Sequence, residues 1–145
     1  MVMDTGFHEV SDTDIPAILH EAGRQGVPVF LLSTAGRTDK NAFFRAVREA
    51  LPLDPPLGTS RMVWDALSDS LWGGLHALQA PRAVIIWPDA QPVTDAQGDF
   101  RIALEILRDI IATLGEAQYS DGRPTHVSVY IAPDPSSEGE TPAKG

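Results

Sequence analysis

"RAVIIWP", residues 82–88, carries five apolar residues in a row after Arg82 and is closed by Pro88. A run this short, without polar alternation, suits a strand covered on both faces, as in a parallel sheet. Two further runs resemble it: "VPVFLLS" (27–33) and "THVSVYIAP" (125–133), the latter with some alternation. Helical patterns separate the three. "TDKNAFFRAVREALP" (38–52) has a Thr38/Asp39 cap, then Phe43, Phe44, Val47 and Leu51 at helical spacing before Pro52. "MVWDALSDSLWGGL" (62–75) reads as a helix ending at Gly73-Gly74. "DFRIALEILRDIIATLG" (99–115) is amphipathic with a glycine stop. The order strand, two helices, strand, helix, strand predicts parallel pairing through right-handed crossovers. The expectation is an α/β fold: a small three-stranded parallel sheet packed with helices, with strands near 28–33, 82–87 and 126–131.

Outside this frame, "SDTDIPAILHEAGRQG" (11–26) reads as a short helix with a polar cap, Pro16 in its first turn and a glycine stop. Its Ile15, Ile18, Leu19 and Ala22 recur at helical spacing, so it is expected to pack on the core. The division is therefore residues 1–26 as an N-terminal extension with a short helix, 27–133 as the main domain, and 134–145 as a disordered tail of Pro, Ser, Gly and Glu. "LDPPLGTS" (53–60) and "DAQPVTDAQG" (89–98) read as loops.

The 145 residues suit one domain with its own core. There is no cysteine, which rules out a disulfide framework, thiolate zinc sites and thiol catalysis. The N-terminus lacks the basic and apolar regions of a signal peptide, so a cytoplasmic protein is expected. A net charge of −9 disfavours nucleic acid and anionic membranes as partners. Most of that excess lies at the two ends. Asp4, Glu9, Asp12, Asp14 and Glu21 face only Arg24 in residues 1–26, and Asp134, Glu138 and Glu140 face Lys144 in the tail. Charge arguments must therefore be local.

The helix at 62–75 is locally unusual. Asp65 and Asp69 stand at i and i+4, where like charges cost a few tenths of a kcal/mol, roughly 0.2–0.5. On a helical wheel Val63, Trp64, Leu67, Leu71, Leu75 and Leu78 form the expected core face; Arg61, Asp65, Ser68, Asp69, Trp72 and His76 form the other. An aromatic among acids is a common composition for a binding surface. Two plainer readings stay open: Arg61 pairs with Asp65 on an ordinary solvated face, and Trp72 folds under the glycine pair into the core.

"WDALSDSLWGGL" (64–75) resembles the hallmark of the barstar family, the intracellular inhibitors of barnase-type ribonucleases, at Trp64, Asp65, Ala66, Leu67, Asp69 and Leu71. The stretches at 29–53, 81–87 and 99–133 are similar to its remaining elements, so the resemblance covers about residues 27–133. It departs at Ser68, where the family has Trp, at Val63, where it has Asn, and in the loop "PPLGTSRM", which has no Tyr. The resemblance implies a barstar-like fold and a basic ribonuclease or toxin nuclease of the extracellular type as partner. It implies a partner surface of Asp65, Asp69, Trp72 and Ser68 with the loop Gly58–Arg61, and a further acidic contact at Asp109. Carboxylates on a rigid helix can take the phosphate positions of a cationic active site.

Other chemistry is weakly signalled. "STAGRTDKN" (33–41) lacks phosphate-loop spacing, and His8, His20, His76 and His126 lack metal-ligand spacing, so no cofactor or metal is expected. Asp89 ends a strand, where α/β sheets place ligands, but it lacks an evident base or nucleophile beside it. Three readings follow: a nuclease inhibitor, a barstar-fold interaction module with a non-nuclease partner, and, weakest, a small α/β enzyme using Asp89.

Overall fold

The computed structural model describes residues 6–37, 39–57, 63–90 and 98–132. The expected tail at 134–145, Gly58 and Arg61 lie outside the described residues. The elements are β1 (Gly6–Glu9), α1 (Ile15–Gln25), β2 (Val29–Leu31), α2 (Lys40–Ala50), α3 (Trp64–Ala77), β3 (Arg82–Trp87), α4 (Asp99–Leu114) and β4 (His126–Ile131). The α/β class and parallel pairing are as expected, but the sheet has four strands, not three, in the order β1-β4-β3-β2. The additional strand comes from the N-terminal segment: Gly6 lies beside Ser128 and Glu9 beside Ile131.

The register explains the layers. Phe7, Val129, Ile85 and Phe30 lie side by side across the sheet. With Trp87, Val127 and Ile131 they meet Phe43, Phe44 and Val47 of α2, Leu67, Leu71 and Leu75 of α3, and Ala103, Leu107, Ile110 and Leu114 of α4. The next residue of each strand points the other way. Val84, Ile86 and Tyr130 are covered there by Ile18 and Ala22 of α1, with Ile15, Val10 and Val29 around them. The sheet is thus a layer between α1 and the other three helices. Leu31, in the row with Ile86 and Tyr130, stays 48% exposed because β2 is an edge strand.

Two helix ends follow their caps. The Asp39 carboxylate accepts from the Ala42 N–H at 3.2 Å, opening α2. Gly26 closes α1 at φ 70°, a left-handed conformation that suits glycine. The end of α3 differs from expectation: the helix runs through Gly73-Gly74 to Ala77. The glycines serve a close approach. A Cβ on Gly73 would stand 2.3 Å from the Asp54 carbonyl oxygen, and one on Gly74 2.1 Å from that of Pro52. The Asp54 N–H also donates to the Ser70 carbonyl at 2.9 Å, holding the strap at 52–54 against the helix. Val63 and Leu78, expected on the core face, are exposed at the two ends of α3. They lie where the helix has passed beyond its cover.

On α1 the buried Glu21 accepts from Arg24 and Gln25. Chiefly through the Arg24 hydrogen bonds, its carboxyl is lowered from 4.5 to about 2. A depressed carboxyl adds stability that is present above the unfolded value and lost as pH falls through the folded one. Glu21→Gln is therefore expected to flatten the fall in melting temperature between pH 4.5 and about 2, measured against wild type. An unchanged slope would contradict this assignment.

Candidate functional site: an acidic groove between two helices

Trp64 opens α3 half-buried, its ring packed on Phe43 (centroids 6.0 Å apart) and edge-on to Phe44 (5.1 Å). The Lys40 ammonium lies 5.7 Å from the centroids of both Trp64 and Phe44. That anchoring turns Asp65 and Asp69 outward. Both are exposed, and neither has a hydrogen bond or ion pair among the described residues. Asp65 lies in the first turn of α3, whose N-terminus bears partial positive charge and has no side-chain cap. The macrodipole therefore offsets at Asp65 part of the repulsion between the two acids.

Opposite this helix, α4 presents Ile102 and Ile106, then Glu105 and Asp109, each pair one turn apart. Between the helices runs a groove of about 360 Å³ lined by Trp64, Asp65, Ser68, Ile102, Glu105, Ile106 and Asp109. The structure thus brings together three of the expected residues, Asp65, Ser68 and Asp109. Asp69 is one turn along α3 and does not line the groove. Sequence reasoning missed Glu105, whose signal was its spacing of four from Asp109. It also assigned Trp64 wholly to the core, whereas one part of it forms the groove floor.

Trp72 stands between the two expectations, partly exposed and partly in the core. It is half-buried, packs against the core, and donates its indole N–H to the Thr113 hydroxyl at 2.9 Å. Thr113 in turn donates to the Asp109 carbonyl at 2.9 Å. His76 stacks on the Trp72 ring at 5.0 Å and donates from Nε2 to the Ser120 carbonyl at 2.8 Å. This chain ties α3 to α4 and sets the width of the groove between them.

Asp89 has a structural occupation. Its carboxylate accepts from the Ser33 hydroxyl at 3.0 Å and the Thr34 N–H at 3.1 Å. The buried Thr34 hydroxyl also accepts from the Trp87 indole at 3.0 Å. These bonds clasp the end of β3 to the end of β2. No group of three or more His, Asp or Glu able to hold a metal occurs among the described residues, and no helix there is long and apolar enough to cross a membrane.

Fold and site together define a parallel α/β protein that carries an acidic, apolar-floored groove between two helices of one layer. The chain belongs to the barstar family: a sequence profile described as Barstar (barnase inhibitor) matches residues 27–129. No curated protein and no solved structure matches the chain. The family is one of inhibitors rather than enzymes, and the matched span runs from the residues before β2 into β4, leaving β1 and α1 outside it.

Proposed function

We propose that this protein is a cytoplasmic inhibitor, or immunity protein, that covers the active site of a basic ribonuclease with the acidic face of α3 and α4. The observation that carries the reading is the convergence of Asp65, Glu105 and Asp109 on one groove that, among the described residues, no Lys or Arg lines. An enzyme that binds a polyanion lines its site with cations, and carboxylates held on packed helices meet them with little loss of conformational freedom. Negative charge at the interface also speeds encounter with a basic partner; barnase and barstar are a standard illustration of that effect. In this reading Asp65 and Asp69 take guanidinium or ammonium groups, Ser68 and Asp109 complete the contact, and Trp72 adds apolar contact at the edge. The loop from Gly58 to Arg61 flanks the same surface in the reading.

The test is binding to barnase-type ribonucleases at low and at physiological salt. Asp69→Ala is expected to weaken the complex by about 2–5 kcal/mol, because the partner's charge is left desolvated and unpaired. Its melting temperature should hold or rise slightly, since the repulsion with Asp65 is relieved. Asp65→Ala should lose affinity and also about 0.3–1 kcal/mol of stability, because it removes a helix-dipole contact. Wild-type protein that binds no such ribonuclease at low salt would favour the second reading, an interaction module for a non-nuclease partner. The observation behind that reading is Ser68, which stands where the family has a tryptophan.

A further inference from the structure

A second cavity, of about 360 Å³, lies where β2 leads into α2, at the carboxyl ends of the parallel strands. It shares no residue with the acidic groove. Open α/β sheets bind small molecules at these strand ends, and the volume falls at the small end of the roughly 300–1,000 Å³ of ligand pockets. The stretch "STAGRTDKN" (33–41), which lacks phosphate-loop spacing, nevertheless forms much of the wall. From the other side α2 presents Asn41, Arg45 and Glu49 one turn apart, with only Ala42 and Ala46 between them. The side chains of Asn41, Arg45 and Glu49 make no hydrogen bond or ion pair among the described residues, although Arg45 and Glu49 are opposite in charge. Arg37 donates from Nε to the Asp39 carboxylate at 2.8 Å, which holds the side chain and leaves its two terminal nitrogens without a partner among the described residues. The strand side is fixed as well: the Ser33 hydroxyl and the Thr34 N–H both donate to Asp89, which does not itself line the cavity.

We propose that this cavity binds the phosphomonoester of a small sugar, with Arg37, Arg45 and Asn41 on the phosphate and Glu49 on the sugar hydroxyls. The proposal is independent of the inhibitor reading. Two guanidinium forks and an amide supply more donors than the two oxygens of a carboxylate use well, whereas a phosphate monoester presents three strong acceptor oxygens. Asn41 lies in the first turn of α2, where the helix N-terminus adds partial positive charge on the same side. Glu49 stands about 6 Å further along the axis than Arg45. A carboxylate there repels a second anionic group but accepts from hydroxyls, as the acid of a dinucleotide site does from ribose. No aromatic ring lines the cavity among the described residues, so a nucleobase has nothing to stack on. That favours a free sugar phosphate over a nucleotide.

The test is titration calorimetry of the full chain with ribose 5-phosphate, set against ribose, inorganic phosphate and adenosine 5′-monophosphate. Ribose 5-phosphate is expected to bind with a submillimolar Kd, inorganic phosphate several-fold more weakly, and ribose not at all. The nucleotide should bind no tighter than the sugar phosphate. Arg45→Gln, at an exposed helix position, should weaken ribose 5-phosphate about tenfold or more while the melting temperature without ligand stays at the wild-type value. Glu49→Gln, also exposed, should bring ribose 5-phosphate down to the affinity of inorganic phosphate and leave inorganic phosphate itself bound as before. No heat with ribose 5-phosphate at millimolar concentration, equal binding of inorganic phosphate by wild type, or full binding by Arg45→Gln would each overturn the proposal. So would ribose 5-phosphate affinity that Glu49→Gln leaves unchanged, or a nucleotide that binds ten times more tightly than the sugar phosphate.

Discussion

Gly74→Ala is expected to destabilise the protein by about 3 kcal/mol, at the upper end of what overpacking of a well-filled interior costs. In an open helix the same change would help, because alanine is favoured over glycine there by roughly 0.5–1 kcal/mol. Here the new methyl would lie 2.1 Å from the Pro52 carbonyl oxygen and 2.6 Å from the Leu53 nitrogen. Both obstacles are backbone, so no side chain can swing away. Either α3 moves off the strap at 52–54, breaking the bond from Asp54 to Ser70, or the strap peels away from the core. For a domain of this size the loss corresponds to a fall of about 10 °C in melting temperature, read by calorimetry or far-UV circular dichroism. A melting temperature at or above wild type would mean that the contact yields freely. Because α3 carries Asp65 and Asp69, the proposed inhibitor function predicts that ribonuclease affinity falls in the same variant.

Removal of residues 1–26 should have the larger effect. The cut takes away β1 and α1, strips the cover from Val84, Ile86 and Tyr130, and turns β4 into an open edge. Each apolar side chain returned to water costs about 1.5–3 kcal/mol. Ile18 alone is 2% exposed, and several sheet residues are uncovered with it. The sum, on the order of 5 kcal/mol, is comparable to the whole stability of an ordinary domain. The truncated chain should melt far lower, bind a hydrophobic dye, and associate. Melting at the wild-type temperature would show that α1 rests on the sheet without supporting it, even though the family profile begins only at residue 27.

That contrast explains what could be read from the sequence. Strands β3 and β4 were evident because they are central, and residues 83–87 and 127–131 are all buried. Helices α2 and α4 were evident because Asp39 caps one and Gly115 closes the other. By contrast β1 has a single large apolar residue, Phe7, in four, and its strand character comes from a ladder with Ser128–Ile131 at the far end of the chain. No local pattern encodes such a partner. The glycine pair misled for the opposite reason: a valid local rule for helix ends was overridden by a strap from another segment. At the site, Asp65, Asp69 and Ser68 stood out within one helix. Glu105 did not, since its meaning depends on α4 lying across from α3 at a distance set by Trp72 and Thr113.

The pairing of the first strand with the last also governs how the chain is made. During synthesis β1 and the apolar stripe of α1 leave the ribosome early, yet the strand that pairs with β1 begins at His126. At about 5–20 residues per second the N-terminal stripe waits on the order of ten seconds for its sheet. The sheet is closed only once β4 has been made, so a nascent chain ending before it cannot carry the finished domain's stability. A stalled chain ending before His126 would hold Ile15, Ile18 and Ala22 open to chaperones.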